Sequence, residues 1–270
     1  MTNTLRPLTV GELLDRTFFL YRRHFLLFVG IAALPNLIIL SFQLFQLVMA
    51  PRSLGGAVMT LAWLIVTMIV YFVTIAISQG ATIIAVSQIQ LQCEATASGA
   101  FAAIPPRIGE IALVILGMGL RILVGFLFFI VPGVYLAIVW SLTIPVVVLE
   151  GRRLPDALAR SAELTKGHRG RVFTIYFLLL VLVYVVTILV QLPLMVAIGV
   201  SSGATSTGEL PPIAEILLAL SNFDTTSLVS PIVTIALSLV YYDERVRKEA
   251  FDLQHMLEEI DRSATPSPAA

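Results

Sequence analysis

Charge, cysteine and histidine are all scarce in this chain. Only 13% of its 270 residues are Asp, Glu, Lys or Arg, about half the share that soluble domains carry. So few charges cannot cover a water-exposed globular surface, and a soluble fold is excluded at the outset. One cysteine, Cys93, excludes an internal disulfide. A formal net charge of zero gives nucleic acid no global attraction. The sequence has no paired-histidine metal spacing, cysteine cluster, glycine-rich phosphate loop or serine-centred elbow. No cofactor is therefore expected, and an enzymatic reading lacks a site. Residues 1–24 are polar and charged, and no small-residue cleavage site follows the first apolar run. That run is expected to stay in the protein rather than leave as a signal peptide.

What the chain does have is apolar residues, 58% of the total, for a mean hydropathy of +0.95. A helix needs roughly 20 of them in a row to cross the hydrocarbon of a bilayer. Apolar runs predict five spans over 25–49, 57–86, 110–131, 134–149 and 172–200, and a sixth within 213–242. Pro35 and Asn36 predict a kink in the first, and Pro132-Gly133 predicts the turn between the third and fourth. The polar run Ser221 to Thr226 is expected to divide the sixth into an interfacial helix, 213–220, and a span core, 228–242. The fold class that follows is all-α: a polytopic membrane bundle of six helices with amphipathic helices on one side. The domain reading is an amphipathic segment 1–24 and a membrane domain 25–245 that includes a connector helix 152–171. A C-terminal helix 246–262 and a disordered tail 263–270 complete it. Val246, Ala250, Leu253, Leu257 and Ile260 form a stripe along the C-terminal helix.

Residues 8–24 read as a short amphipathic helix. Thr9 and Glu12 fit a capping box, and Glu12 and Arg16 stand in the favourable i,i+4 order. Val10, Leu14, Thr17, Phe18 and Tyr21 make one stripe, expected to lie on the membrane surface.

The few cations set an orientation. Arg6, Arg16, Arg22 and Arg23 precede the first span, and Arg107 lies in the second connector. Arg152, Arg153, Arg160, Lys166, Arg169 and Arg171 fill the fourth connector, and Arg245, Arg247, Lys248 and Arg262 follow the last span. Fifteen of the seventeen lysines and arginines thus share one side, against Arg52 on the other and Arg121 inside a span. The positive-inside rule places that side, with both termini, in the cytoplasm.

The chain also repeats itself. Glu12, Leu14, Arg16, Thr17, Leu20, Arg22 and His24 match Asp156, Leu158, Arg160, Ser161, Leu164, Lys166 and His168 at a constant offset, and each copy precedes a span. Gly99 to Arg107, with Phe101, is a candidate degenerate middle copy. The implied architecture is a threefold repeat, each unit an amphipathic segment followed by a transmembrane hairpin. The alternative is that any basic lead-in to a span takes this form.

Leu5-Arg6-Pro7-Leu8-Thr9-Val10-Gly11-Glu12-Leu13-Leu14-Asp15-Arg16, with Tyr21-Arg22-Arg23-His24-Phe25, resembles the opening of the membrane-domain family of glycerophosphoryl diester phosphodiesterases. Trp140 with Pro145, Glu150-Gly151, Ala157-Leu158-Ala159-Arg160-Ser161 and Tyr241 to Leu253 extend the likeness over nearly the whole chain. The resemblance implies a bacterial, multi-pass inner-membrane protein. The family's name comes from members fused to a catalytic barrel, a fold of about 250 residues. The polar segments here are far too short to hold one. The resemblance therefore implies a membrane unit without hydrolase activity.

Two groups of candidate site residues emerge. Arg121 lies about 12 residues, or roughly 18 Å, into the third span, where a charge is costly. With Asn36, Gln79, Gln191 and Asp224 it is a candidate intramembrane polar site for an anion or head group. A single charge pair, or a side chain reaching for the interface, accounts for it equally in kind. The second group is a cytoplasmic-face charge cluster of Glu12, Arg16, Glu150, Arg152, Arg153, Asp156, Arg160, Arg245 and Arg247. Glu150 is expected to face Arg152, Arg153 and Arg160 in a structural salt bridge. His168-Arg169-Gly170 echoes a triplet in the catalytic motif of those phosphodiesterases, but here it falls in a loop before a span.

The expected role is a non-catalytic membrane scaffold or accessory domain. Its expected partners are the lipid bilayer, through anionic headgroups, and a membrane or cytoplasmic protein, with no nucleic acid. The alternative is a small-solute or lipid-related transporter or channel using Arg121. A weaker third reading is an enzyme acting on lipid head groups.

Overall fold

The structure, a computed structural model, describes residues 8–49, 56–104, 108–201 and 211–249. Without water, a backbone must satisfy its own hydrogen bonds, so long apolar runs become helices. Among the described residues there are ten: α1 (Val10–Arg23), α2 (Phe25–Met49), α3 (Gly56–Gln90), α4 (Ala97–Ala102), α5 (Ile108–Phe128), α6 (Ile130–Val139), α7 (Thr143–Glu150), α8 (Leu154–Thr165), α9 (Arg169–Ser201) and α10 (Pro212–Glu249). Six segments are long and apolar enough to cross a membrane: Phe25–Leu47, Leu61–Gln90, Ile108–Phe128, Ile130–Glu150, Arg169–Gly199 and Pro212–Glu249. The protein is a multi-pass helical membrane bundle. The expected tail 263–270, and the C-terminal helix beyond residue 249, lie outside the described residues.

α10 is the hub. It packs against α1, α2, α3, α7, α8 and α9, and Ile235, Ala236, Val240 and Tyr241 along it are fully buried. Its length departs from expectation. The polar run Ser221 to Thr226 does not divide it, and the helix continues unbroken from Pro212 to Glu249. The reason is that these polar side chains, the exposed Asp224 apart, face the protein. Asn36 of α2 donates to Ser227 Oγ at 3.3 Å, and Thr226 donates to Asn222 Oδ1 one turn back at 3.3 Å. Its 38 residues span about 57 Å, so its charged last turns stand clear of a hydrocarbon layer of about 30 Å.

The third and fourth spans also differ from the expected pattern. The turn between them falls at Phe129, whose backbone is extended, and Pro132 and Gly133 lie inside α6. Gly133 is there for close approach: a Cβ at that position would lie 2.4 Å from the Phe126 ring. The fourth span is broken at Trp140 to Leu142, between α6 and α7. Polar side chains from neighbours meet the freed backbone groups. Ser161 Oγ accepts from Leu142 N at 3.1 Å and donates to Val139 O at 2.9 Å, and Tyr176 donates to Ser141 O at 3.0 Å. A break at membrane depth is tolerated where neighbours satisfy it in this way.

The internal repeat has a structural counterpart. The buried positions of α1 are Leu13, Thr17, Leu20 and Tyr21; those of α8 are Ala157, Ser161, Leu164 and Thr165, the same offset throughout. The expected surface stripe of α1 is thereby corrected. Thr17 and Tyr21 do share a face, but with Leu13 and Leu20, and that face is buried in the bundle, whereas Phe18 and Phe19 are exposed. Among its described residues the middle segment forms the six-residue α4, which buries Ala100 and lacks this pattern.

Candidate functional site: the charged end of the bundle

α7 ends at Gly151, α8 ends before Gly167, and α9 begins at Arg169. Gly167 holds a φ of 93°, a conformation that residues with a Cβ rarely adopt. That turn brings His168 and Arg171 to the last turns of α10. There Asp243 and Glu244 are both buried, Glu244 completely. Buried carboxylates need partners, because desolvation of an unpaired charge costs several kcal/mol. Arg171 Nη1 donates to Asp243 Oδ2 at 2.6 Å and to Glu244 Oε1 at 3.0 Å. Arg247 Nε donates to Asp243 Oδ2 at 2.8 Å, and His168 Nδ1 lies 2.8 Å from Glu244 Oε2.

The same charges grip the chain just ahead of α1. Leu8 N donates to Asp243 Oδ1 at 2.6 Å, while Leu8 O accepts from Arg171 at 2.7 Å and from Arg247 at 2.6 Å. Further along α1, Tyr21 donates to Leu228 O at 2.8 Å, three residues before Pro231. Pro231 deprives the adjacent carbonyl, that of Ser227 four residues back, of its helical donor; the Tyr21 bond falls on the next one. α1 is thus tied to α10 at both its ends. At its start, the capping box is present: Thr9 N donates to Glu12 Oε2 at 2.8 Å and Glu12 N to Thr9 Oγ1 at 3.3 Å.

A second cluster joins α7, α8 and α10. Glu150 lies 2.8 Å from Arg152 and 3.5 Å from Arg160, and it accepts from the Tyr241 hydroxyl at 2.9 Å. Arg160 also pairs with Glu163 at 3.0 Å and with Glu249. Burial alone would lower the Arg160 guanidinium, but its bonds to Glu163 and the charge of Glu150 outweigh that and raise it. Arg245 reaches Glu249 at 2.9 Å and Tyr241 Oη at 3.1 Å. Lys248 donates to the carbonyls of Lys166, at 2.7 Å, and Glu163, closing the last turn of α8. Arg153 instead faces Glu110, at 4.0 Å, and Asp156 is exposed in the first turn of α8. Arg16 is half-buried and donates to Gln90 Oε1 at 2.8 Å; burial lowers its pKa from the ordinary arginine value.

The intramembrane candidates have separate surroundings. Arg121 is exposed, and its Nη1 donates to Gly117 O on its own helix at 2.8 Å. Asn36 is buried against Ser227, Gln79 is half-buried on α3, and Asp224 is exposed on α10. Gln191 lines a cleft of about 480 Å³ with Gln43, Glu215 and Asn222. A small cavity beside Asn36 shares Gln43 and Asn222 with it.

Asp243, Glu244, Arg171 and Glu249 escaped sequence reasoning. Their signal was available: two consecutive acids closing an apolar run, in a chain whose cations crowd one side. The His-Arg-Gly triplet points in different directions, His168 to Glu244 and Arg169 to Tyr135 Oη at 2.7 Å, with its guanidinium 5.1 Å from that ring.

The family model of the membrane domain of glycerophosphoryl diester phosphodiesterase matches residues 111–265. The chain belongs to that family. The stretch common to this membrane-domain family holds the broken fourth span, α8, the His-Arg-Gly turn and the acid pair of α10. α1, with the opening motif that carried part of the resemblance, lies outside it. No curated protein and no solved structure matches the chain.

Proposed function

We propose that this protein is a non-catalytic membrane scaffold or accessory domain, with its charged end in the cytoplasm of a bacterial inner membrane and in contact with anionic lipid and a protein partner. The observation that carries this reading is how the acids of the charged end are used. Glu150, Asp243, Glu244 and Glu249 each hold at least one arginine and join different helices. Groups so committed set the geometry of a platform rather than move protons. The one-sided distribution of lysine and arginine supports the orientation. The partner-binding element is the apolar stripe continuing past Val246, which falls mostly outside the described residues.

Cys93 is exposed in the turn after α3 and is the only cysteine of the chain. A membrane-impermeant maleimide should label it in inverted vesicles and leave it untouched in intact spheroplasts. Labelling from the outer side would refute the orientation. Purified protein should show no metal-dependent phosphodiester hydrolysis; activity abolished by His168→Ala would establish the enzymatic reading instead. Deleting residues 250–262 should remove a co-purifying partner, and an unchanged set of partners would count against the scaffold.

A transport reading has its own support in the amide-lined cleft of Gln43, Gln191 and Asn222, with Glu215 at hand. In that case Gln191→Leu would stop solute flux in proteoliposomes while the protein stayed folded.

A further inference from the structure

A cleft of about 640 Å³ opens between α1, the end of α3 and the turn that follows α3. Arg16, Phe19, Arg23, His24, Gln90 and Glu94 are on its wall. Two of these residues are repeat counterparts of residues at the charged end: Arg16 stands where Arg160 stands in α8, and His24 where His168 stands, whereas Arg23 stands where Gly167 does. The surroundings differ. Arg160 is held by Glu150, Glu163 and Glu249, and His168 by Glu244. At the cleft, Arg16 donates to Gln90 Oε1 at 2.8 Å, among its contacts. Among the described residues, neither Arg23 nor His24 has a carboxylate partner; Arg23 lies over the Phe19 ring at 6.0 Å and His24 meets Phe28 edge-on. Glu94 is the one acid of the wall, against two guanidinium groups.

Apolar side chains share the wall. Phe19 lines it and is 56% exposed, and two residues past His24 in sequence, at the start of α2, Leu26 is 83% exposed. A cationic hollow beside exposed apolar side chains, where an amphipathic helix enters a span, suits an amphiphile whose charge is negative. The His24 imidazole sits below its ordinary pKa, first through burial and then through the charge of Arg23. An anion between the two relieves that second effect.

We propose that this cleft binds a phosphate-bearing anion, with Arg16 and Arg23 as its charge partners and His24 and Gln90 as hydrogen-bond donors, as the head group of a membrane lipid or as free phosphate. The assignment rests on the anionic-lipid contact proposed above and names its place. Arginine is suited to this task because its planar fork matches phosphate oxygens.

Cys93 also lines the cleft, so its alkylation rate reports occupancy. The full chain is placed in nanodiscs of phosphatidylcholine, of phosphatidylglycerol, or of phosphatidylcholine with added inorganic phosphate, and tightly bound lipid is counted in parallel by native mass spectrometry. Only the unoccupied fraction reacts, so a site about 80% filled should slow alkylation about fivefold. Slowing by phosphatidylglycerol alone identifies a lipid head group, and slowing by inorganic phosphate as well identifies the phosphate group itself. The double variant R23Q/H24Q should lose the protection. Arg153→Gln, which removes an exposed charge elsewhere at the same end, should keep it. Equal rates in the three environments, or equal loss in Arg153→Gln, overturns the site. Preferential phosphatidylglycerol retention with Cys93 unprotected overturns the cleft while sparing the wider lipid contact, and no retention preference overturns both.

Discussion

Leu13, Thr17, Leu20 and Tyr21 in α1 stand 144 residues before Ala157, Ser161, Leu164 and Thr165 in α8, and all eight are buried. Both helices lead into a span, and both hydrogen-bond to the backbone of a neighbouring span. Tyr21 finds Leu228 O near Pro231, and Ser161 finds Leu142 N and Val139 O at the break between α6 and α7. The charged faces share nothing of the kind. α8 and the turn after it commit Arg160 to Glu150 and Glu249 and His168 to Glu244, whereas Arg23 and His24, at the end of α1, line a cleft and have no carboxylate partner among the described residues. A buried face is constrained by every neighbour it touches. A solvated face is constrained only by what comes to bind it, so repeated units keep the first and diverge in the second.

The comparison breaks most visibly at Arg171. Its counterpart in the first copy is Leu27, so the first copy has no equivalent of the grip on Asp243 and Glu244. Arg171→Met should destabilise the protein by about 3–5 kcal/mol, because two buried carboxylates lose a shared partner. A detergent-solubilised thermal melt measures this, and a loss below about 1 kcal/mol would mean that the acid pair is not held as described. Arg23→Met, at the open copy, where the guanidinium lies over the Phe19 ring, should cost much less in the same assay.

The hydroxyls sharpen the contrast on a smaller scale. Ser161→Ala leaves the buried Leu142 N–H without its acceptor and should cost about 1–3 kcal/mol. Thr17 donates to Leu13 O, within its own helix, and its loss leaves no backbone N–H without an acceptor, so Thr17→Val should cost no more than about 1 kcal/mol. Equal costs would show that the two buried faces do different work from that inferred here.

The smallest effect is at the helix starts. α1 opens with the Thr9–Glu12 capping box, whereas α8 opens at Arg153 without a side-chain cap and with proline in its first turn. Thr9→Ala should cost about 1 kcal/mol, and Arg153→Ala should leave stability unchanged.

The number of spans, the capping box and the repeat were legible because each is written in local periodicity. The break at Trp140 to Leu142 was not, since neither glycine nor proline marks it and Ser161 and Tyr176 complete it from other helices. The continuity of α10 was misjudged for the same reason. Ser221 to Thr226 reads as a polar interruption until Asn36 and the packing around it supply a polar interior. Within the site, Glu150 with Arg152 and Arg160 was accessible from proximity in sequence. Asp243 and Glu244 were marked only as adjacent acids with Arg247 one turn on; their other partners, at Leu8, His168 and Arg171, lie far off in sequence. Arg121 stood out as a charge among apolar residues, yet its hydrogen bond stays within its own helix.

The fastening of Leu8 bears on the order in which a ribosome delivers this chain. Both backbone groups of Leu8 are taken by residues of α9 and α10, and Tyr21 waits for a carbonyl of α10. The earliest of these helices to emerge therefore cannot dock until the last one has been inserted. Until then α1 must be held by the translocon, a chaperone or the membrane surface, and its exposed Phe18 and Phe19 suit it to the last of these.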